Sequence, residues 1–279
     1  MILLALTASF AYGWSDFAGG QASKGDSAFS VTATAQITSG IVLVAAAFLW
    51  NGAPSTGALA RGAIAGACGG LGIAALYGAL AIGRMSVVSP VTAALSGSLP
   101  ALVDLARGTR VTGLSIAGMV LAVVAVVIVS ASAETEPTEE RSRDVPALGL
   151  ALVAGVLFAV GIVALSRTEA VSGLWPLVAA RIVSVAVASG LAMWRAGHVV
   201  ATRVARAGAI TAGALDAVAN VTMLLALRIG PVAVASVLSS LYPVVIVVLA
   251  LVVLKERLRG VQQLGVALAI AAVVLTALR

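Results

Sequence analysis

Ten stretches of mostly apolar sequence, each near the length of a membrane-spanning helix and separated by short polar or Gly/Pro breaks, constrain this chain most. A bilayer core about 30 Å thick requires roughly 20 apolar residues per helix. In the first half the stretches run near Ile2–Gly19, Phe29–Trp50, Gly62–Ile82, Val87–Ala106 and Val111–Ala131. In the second they run near Val145–Leu165, Leu174–Trp194, Ala207–Leu227, Val232–Leu254 and Val261–Leu278. Too little polar sequence remains to cover a soluble domain. Of 279 residues, 61% are hydrophobic and 10% are charged, against about 25% charged in ordinary soluble proteins. The expected fold is an all-α integral membrane protein of ten transmembrane helices. The first stretch has no basic leader and carries Asp16 inside it, which argues for a first helix over a cleaved signal peptide.

The net charge of +6 does not point to nucleic acid, because most Lys and Arg residues punctuate the ends of the apolar runs. There they act as interfacial anchors and topology determinants. The single cysteine, Cys68, excludes an internal disulfide and a thiolate metal cluster. It reads as a small packing residue, and the single histidine, His198, as a solvated loop residue. No G-x-x-x-x-G-K-[ST] motif is present, so ATP drive by this chain has no support. Neither H-E-x-x-H nor G-x-S-x-G occurs. No cofactor and no enzymatic activity are expected.

The one clearly hydrophilic segment is Ser132–Asp144, with seven charges and a proline, and it reads as an exposed linker. Its central position divides the chain into a first five-helix repeat (1–131), a linker (132–144) and a second five-helix repeat (145–279). The halves resemble each other. ALAIG at 79–83 matches ALRIG at 226–230, and LSGSLP at 95–100 matches LSSLYP at 238–243. Gly113 and Gly118 then match Gly260 and Gly265. The offset slips from 147 to 143 and back, about one helical turn, which a helix absorbs without rotating its face. An odd number of helices per half inserts the second copy upside down. Inverted repeats with a site at their interface near the bilayer midplane are a recurring carrier design.

The residues that form the repeat also carry a family likeness. Ala226-Leu227 is followed by a small-residue run and a helix with Pro243, then Leu254-Lys255-Glu256-Arg257-Leu258 and a Gly-containing last helix. In this the chain resembles the drug/metabolite transporter superfamily, in the branch with two EamA-type domains. The first half departs from the pattern at two places: Thr109 aligns with Glu256, and Gln36 stands where the second copy has Arg181. The resemblance implies a ten-helix, ATP-independent carrier that exports or exchanges metabolites, amino acids or drug-like compounds.

Ionisable residues inside the spans are functional candidates, because a charge at the bilayer centre costs at least about 2.5–3.5 kcal/mol. Asp16 shares a helix face with Ser9 and Tyr12. It reads either as a proton-titrating acid at a polar cavity wall or as a solvated acid near the Gly19-Gly20 break. Asp216 and Asn220, four residues apart, form a polar stripe that could line the same cavity or clamp two helices together. Arg181 has three readings: snorkelling to the interface, a clamp for a substrate carboxylate, or a buried bridge to Asp216. Tyr77, Tyr242, Ser96 and Ser239 sit at or near repeat-matched positions and could hydrogen-bond a ligand. Pro90, Pro100 and Pro243 are candidate hinges, and Gly62, Gly66 and Gly70, every fourth residue, suit close helix packing.

The expected function is secondary transport of a small organic solute by alternating access, with protons as candidate coupling ion, in a bacterial inner or plasma membrane. The candidate substrate-binding set is Tyr12, Asp16, Tyr77, Arg181, Asp216, Asn220, Ser239 and Tyr242. A lipid or polyprenyl-carrier flippase and a non-transporting membrane component are the rival readings. The partners expected are the solute and the bilayer, with a homo-oligomer left open.

Overall fold

The computed structural model describes residues 2–106, 138–229, 242–255 and 260–277, together with 113, 114, 117, 118, 120, 121, 124 and 128. The helices are α1 (Ile2–Ala22), α2 (Ala28–Leu49), α3 (Thr56–Ile82), α4 (Met85–Ala106) and α5 (Thr138–Leu165). They continue with α6 (Trp175–Ala196), α7 (Arg203–Ile229), α8 (Tyr242–Val252) and α9 (Gly260–Ala277), and a 3₁₀ turn at Ala170–Ser172 precedes α6. No strand occurs among the described residues. Five helices there are long and apolar enough to cross a membrane: α2, α3, α6 and most of α5 and α7. Most of the expected span 111–131 and the first ten residues of the span 232–254 lie outside the described residues.

The hydrophilic segment differs from its expected form. Its residues 132–137 lie outside the described set, but Thr138–Asp144 are helical and lead without a break into the span expected from Val145. One contact at the end of that segment helps to account for this. Arg84, at the start of α4, forms an ion pair with Asp144.

The helices are inside-out relative to those of a soluble protein. On α1, Leu3, Leu6, Phe10 and Trp14 are exposed at helical spacing, whereas Ser9, Ser15 and Asp16 are buried. On α2, Ile41, Val42 and Phe48 face outward, and Ser30, Thr32, Thr34, Gln36 and Ser39 face inward. In water this arrangement would expose apolar area and bury polar groups, both unfavourable. In lipid the outward face needs no polar cover, and inward groups such as Ser30, Thr34, Gln36 and Ser39 find partners in the bundle.

Small residues let the backbones close in. Gly62, Gly66 and Gly70 of α3 lie against Pro176, Ala180 and Ser184 of α6, one contact per turn. Gly213 of α7 lies against the carbonyl of Ala35 on α2 in the same way as Gly66 lies against that of Ala180. The main packing pairs are α1 with α7, α3 with α5 and α6, α2 with α6 and α7, and α4 with α5. Further pairs join α8 to α1 and α4, and α9 to α4.

Loops lock both ends of the α2/α6 pair, which runs antiparallel. At one end the Asp26 carboxylate accepts from the backbone N–H of Thr202 (2.7 Å) and of Ser27 (2.6 Å) and contacts His198 Nε2 at 3.1 Å. The other ring nitrogen of His198 faces the carbonyl of Ala196, so this residue is pinned between two acceptors and not freely solvated. Thr34 accepts from Ala201 N–H, and Ser30 donates to the carbonyl of His198. At the other end the joint is mostly backbone. Ala53 N–H donates to Val171 O at 3.0 Å, and Trp175 Nε1–H donates to Gly52 O at 3.2 Å. Gly173 has φ +55° there, and a Cβ on Gly52 would come 2.7 Å from its Cα. Both positions therefore require glycine.

Two outcomes follow from this packing. Gly66→Ala and Gly213→Ala each place a Cβ onto a backbone carbonyl, so each lowers stability by about 1–3 kcal/mol, readable as a lower unfolding temperature in detergent. At Asp26, burial raises the carboxyl, but hydrogen bonds from Thr202, Ser27 and His198 outweigh it and hold it below the usual carboxylate range. Its contribution is complete above about pH 4 and is lost as pH falls through the lower folded value. Hydrogen exchange at the Thr202 amide, corrected for its intrinsic rate, should accelerate over that acidic window in the native protein, and Asp26→Asn should remove the transition.

Candidate functional site

Two polar groups lie inside the bundle. The first spans α2, α6 and α7. Arg181 Nη2 is 2.6 Å from Asp216 Oδ2, with the two side chains 13% and 15% exposed. The same guanidinium donates to Gln36 Oε1, which also accepts from Ser184 Oγ at 2.9 Å. Ser39 Oγ donates to Asp216 Oδ2 at 2.7 Å. Asn220 Nδ2 donates to Asp216 Oδ1 at 3.2 Å and to the Asp216 carbonyl at 2.8 Å. The helical repeat sets this up, since Ser39, Ser184 and Asn220 each stand one turn beyond Gln36, Arg181 and Asp216 and so on the same face.

Arg181 therefore neither snorkels to an interface nor stands free as a carboxylate clamp; of its three readings the structure realises the buried bridge. Asp216 and Asn220 form the expected stripe, and both are engaged in the bridge. Gln36, Ser39 and Ser184 were not among the candidate site residues. The available signal was Gln36 itself, a large amide inside an apolar span at the position matching Arg181.

The second group lies where α1 meets α3, α7 and α8. Asp16 is 8% exposed and has no hydrogen-bond or ion-pair partner among the described residues. Tyr12, one turn before it, meets Tyr242 of α8 edge to face, with ring centroids 6.4 Å apart. Tyr77 of α3 lies against the backbone of Gly19, where any Cβ would overlap its ring. A Cβ at Gly13 would come 2.8 Å from the carbonyl of Tyr242. Glycines on one face of α1 thus admit both tyrosines. Ser15 Oγ donates to Ala212 O at 2.7 Å and ties α1 to α7, which brings Asp16 within electrostatic reach of Asp216. Asp16 is likewise within reach of Tyr12, Tyr77 and Tyr242. Tyr77 is fully buried, whereas Tyr12 and Tyr242, also enclosed by helices, keep accessible surface. The structure brings together seven of the eight candidate residues in these two adjoining groups; Ser239 lies outside the described residues.

Described residues that are helical throughout, with lipid-suited outer faces and polar groups turned inward, make this a multi-pass membrane protein. The model of the EamA-like transporter family matches residues 145–278. Over that stretch, just under half of the chain, the sequence is similar to this family of membrane transporters. Among solved structures, one described as "Crystal structure of protein" matches at 20% identity with a TM-score of 0.63, over 98% of this chain and 94% of that one. This is a likeness of fold, and it extends over both halves. No curated protein matches the sequence.

Breaking the bridge by Arg181→Leu or Asp216→Leu leaves a buried charge unpaired and should destabilise the protein by roughly 3–5 kcal/mol. The double replacement should recover much of that loss. Denaturant unfolding of the three variants in detergent checks both statements.

Proposed function

We propose that the protein is an ATP-independent secondary carrier, built from two inverted five-helix repeats, that exports or exchanges a small organic solute across the cell membrane by alternating access. The observation that carries this reading is the exchange symmetry of the packing. With α1–α4 paired to α5–α8 in order, α1 on α7 corresponds to α5 on α3. Likewise α2 on α7 corresponds to α6 on α3, and α1 on α8 to α5 on α4. The detail agrees. Gly66 and Gly213 are 147 residues apart, and the carbonyls they meet, those of Ala180 and Ala35, are 145 apart. The α2/α6 pair corresponds to itself and so lies on the pseudo-twofold axis, where the matched residues Gln36 and Arg181 hydrogen-bond.

A carrier of this kind needs a site between the repeats that either face can reach. The Asp16 group supports that reading, since it is built by α1, α3 and α8, which come from both halves. Asp16 is the acid suited to ion coupling, because Asp216 is already neutralised by Arg181. Asp16→Asn is expected to abolish proton-driven accumulation in liposomes and leave the unfolding temperature within a few degrees of the parent. Accumulation that still follows an imposed pH gradient in this variant would remove Asp16 from the coupling. Flux that competes with lipid headgroups and not with soluble compounds would favour a flippase.

A further inference from the structure

We propose that His198 is a proton-operated clasp. As an imidazolium it ties the α6–α7 loop to Asp26 in the α1–α2 loop, and as a neutral imidazole it gives up one of the two contacts that make the tie. The clasp stands on its own geometry, and only its effect on solute access rests on the carrier reading.

Donors and acceptors do not balance around a neutral ring here. Nδ1 of His198 lies 2.9 Å from the carbonyl oxygen of Ala196, and Nε2 lies 3.1 Å from Asp26 Oδ1. Both partners are acceptors. A neutral imidazole carries one N–H, so in either tautomer one ring nitrogen turns a lone pair on an oxygen. The imidazolium carries two N–H groups and satisfies both contacts at once. The helix ends favour the same form. Ala196 is the last residue of α6, and a helix C-terminus attracts cations. Asp26, with its side chain 6% exposed, accepts from the N–H of Thr202, whose carbonyl takes the first N–H groups of α7, those of Ala205 and Arg206. The protonated ring thus joins the negative end of α6 to the acid that caps the positive end of α7.

The neighbouring cations leave this place to His198. Arg195 lies over the Trp194 ring, 4.2 Å from its centroid, and Arg206 Nε donates to Ala201 O at 3.1 Å. Lys24 and Arg203 are exposed and pair with no acid among the described residues. The His198 side chain is 41% exposed, so water delivers its proton, and histidine is the side chain whose charge ordinarily changes between about pH 5 and 8. Asp26 is held below the usual carboxylate range and stays ionised across that window. The clasp therefore closes toward its acidic side and slackens as pH rises. Three hydrogen bonds independent of the ring, Ser30 to His198 O, Ala201 N–H to Thr34 and Thr202 N–H to Asp26, keep the loops in register when it does. At the opposite end of α2 and α6, the joint from Ala53 to Val171 and from Trp175 to Gly52 contains no titrating group. Only one end of the pair responds to pH, and on the carrier reading an alkaline medium there loosens one mouth and leaves the other unchanged.

His198 is the single histidine of the chain, so histidine-selective isotope labelling of the full-length protein in detergent reports on this ring alone. Nitrogen NMR at about pH 5 should show both ring nitrogens protonated. Asp26→Asn should expose the Nε2 proton to rapid solvent exchange and leave the Nδ1 proton protected. Exchange of the Ala201 and Thr202 amides, corrected for intrinsic rate, should accelerate several-fold between about pH 5 and 8. His198→Gln, neutral at every pH, should keep the unfolding temperature and abolish that response, and His198→Lys, charged throughout, should abolish it too. A ring singly protonated at the acidic end, amide exchange that stays flat in the parent, or an undiminished response in a folded His198→Gln variant would overturn the inference. Liposome flux separates the clasp from the carrier. A pH-dependent clasp in a protein that moves no solute upholds the first and counts against the second, and solute flux with flat amide exchange does the reverse.

Discussion

One buried ion pair organises the centre of this molecule. Arg181 and Asp216 join α6 to α7, and through Gln36 and Ser39 the same contact reaches α2. In an apolar bundle these groups have no water to fall back on, so each must be satisfied by the protein. That requirement fixes the rotation of three helices at once, because a turn of any of them by one residue would strand a charge. Shape complementarity among Ala, Val and Leu gives far less orientational information. The ion pair specifies geometry more than it adds net stability, since the desolvation of both charges offsets much of their attraction.

Backbone proximity is the other condition, and it depends on residues that contribute almost no chemistry. Gly66 and Gly213 bring α3 onto α6 and α7 onto α2 at the level of the bridge, and the close α7/α2 approach lets the short Ser39 side chain reach Asp216. Gly13 and Gly19 serve α1 similarly, allowing Tyr242 and Tyr77 to lie against its backbone beside Asp16. A polar interior thus comes from pairing small residues on one helix with hydrogen-bonding residues on the next.

The spans α2, α3, α5, α6 and α7 were readable from apolar length alone, because a bilayer imposes a nearly fixed length on any helix that crosses it. The grouping of Asp16 with Tyr12, and of Asp216 with Asn220, also followed from local spacing, since one helical turn decides which residues share a face. Partners across space did not follow. Arg181 meets Gln36 from 145 positions away, and no local pattern distinguishes that contact from a free guanidinium. The start of α5 was missed for a related reason. Seven charges and a proline suggest a linker, yet the Arg84–Asp144 contact favours helix, and that signal is not local.

Gln36 opposite Arg181 has a consequence for how such a bundle can be assembled from parts. On the two-repeat reading these residues occupy equivalent places on the pseudo-twofold axis, where each position meets its own counterpart. Two identical copies of the second half, associating as a homodimer, would set guanidinium against guanidinium there, with a single axial gap to hold both. A neutral amide on one side lets a lone arginine cross the axis and choose one carboxylate, so the two halves are complementary and not interchangeable. Covalent linkage of unlike halves makes that asymmetry permanent, and with it the freedom for one half to specialise in holding charge while the other accommodates it.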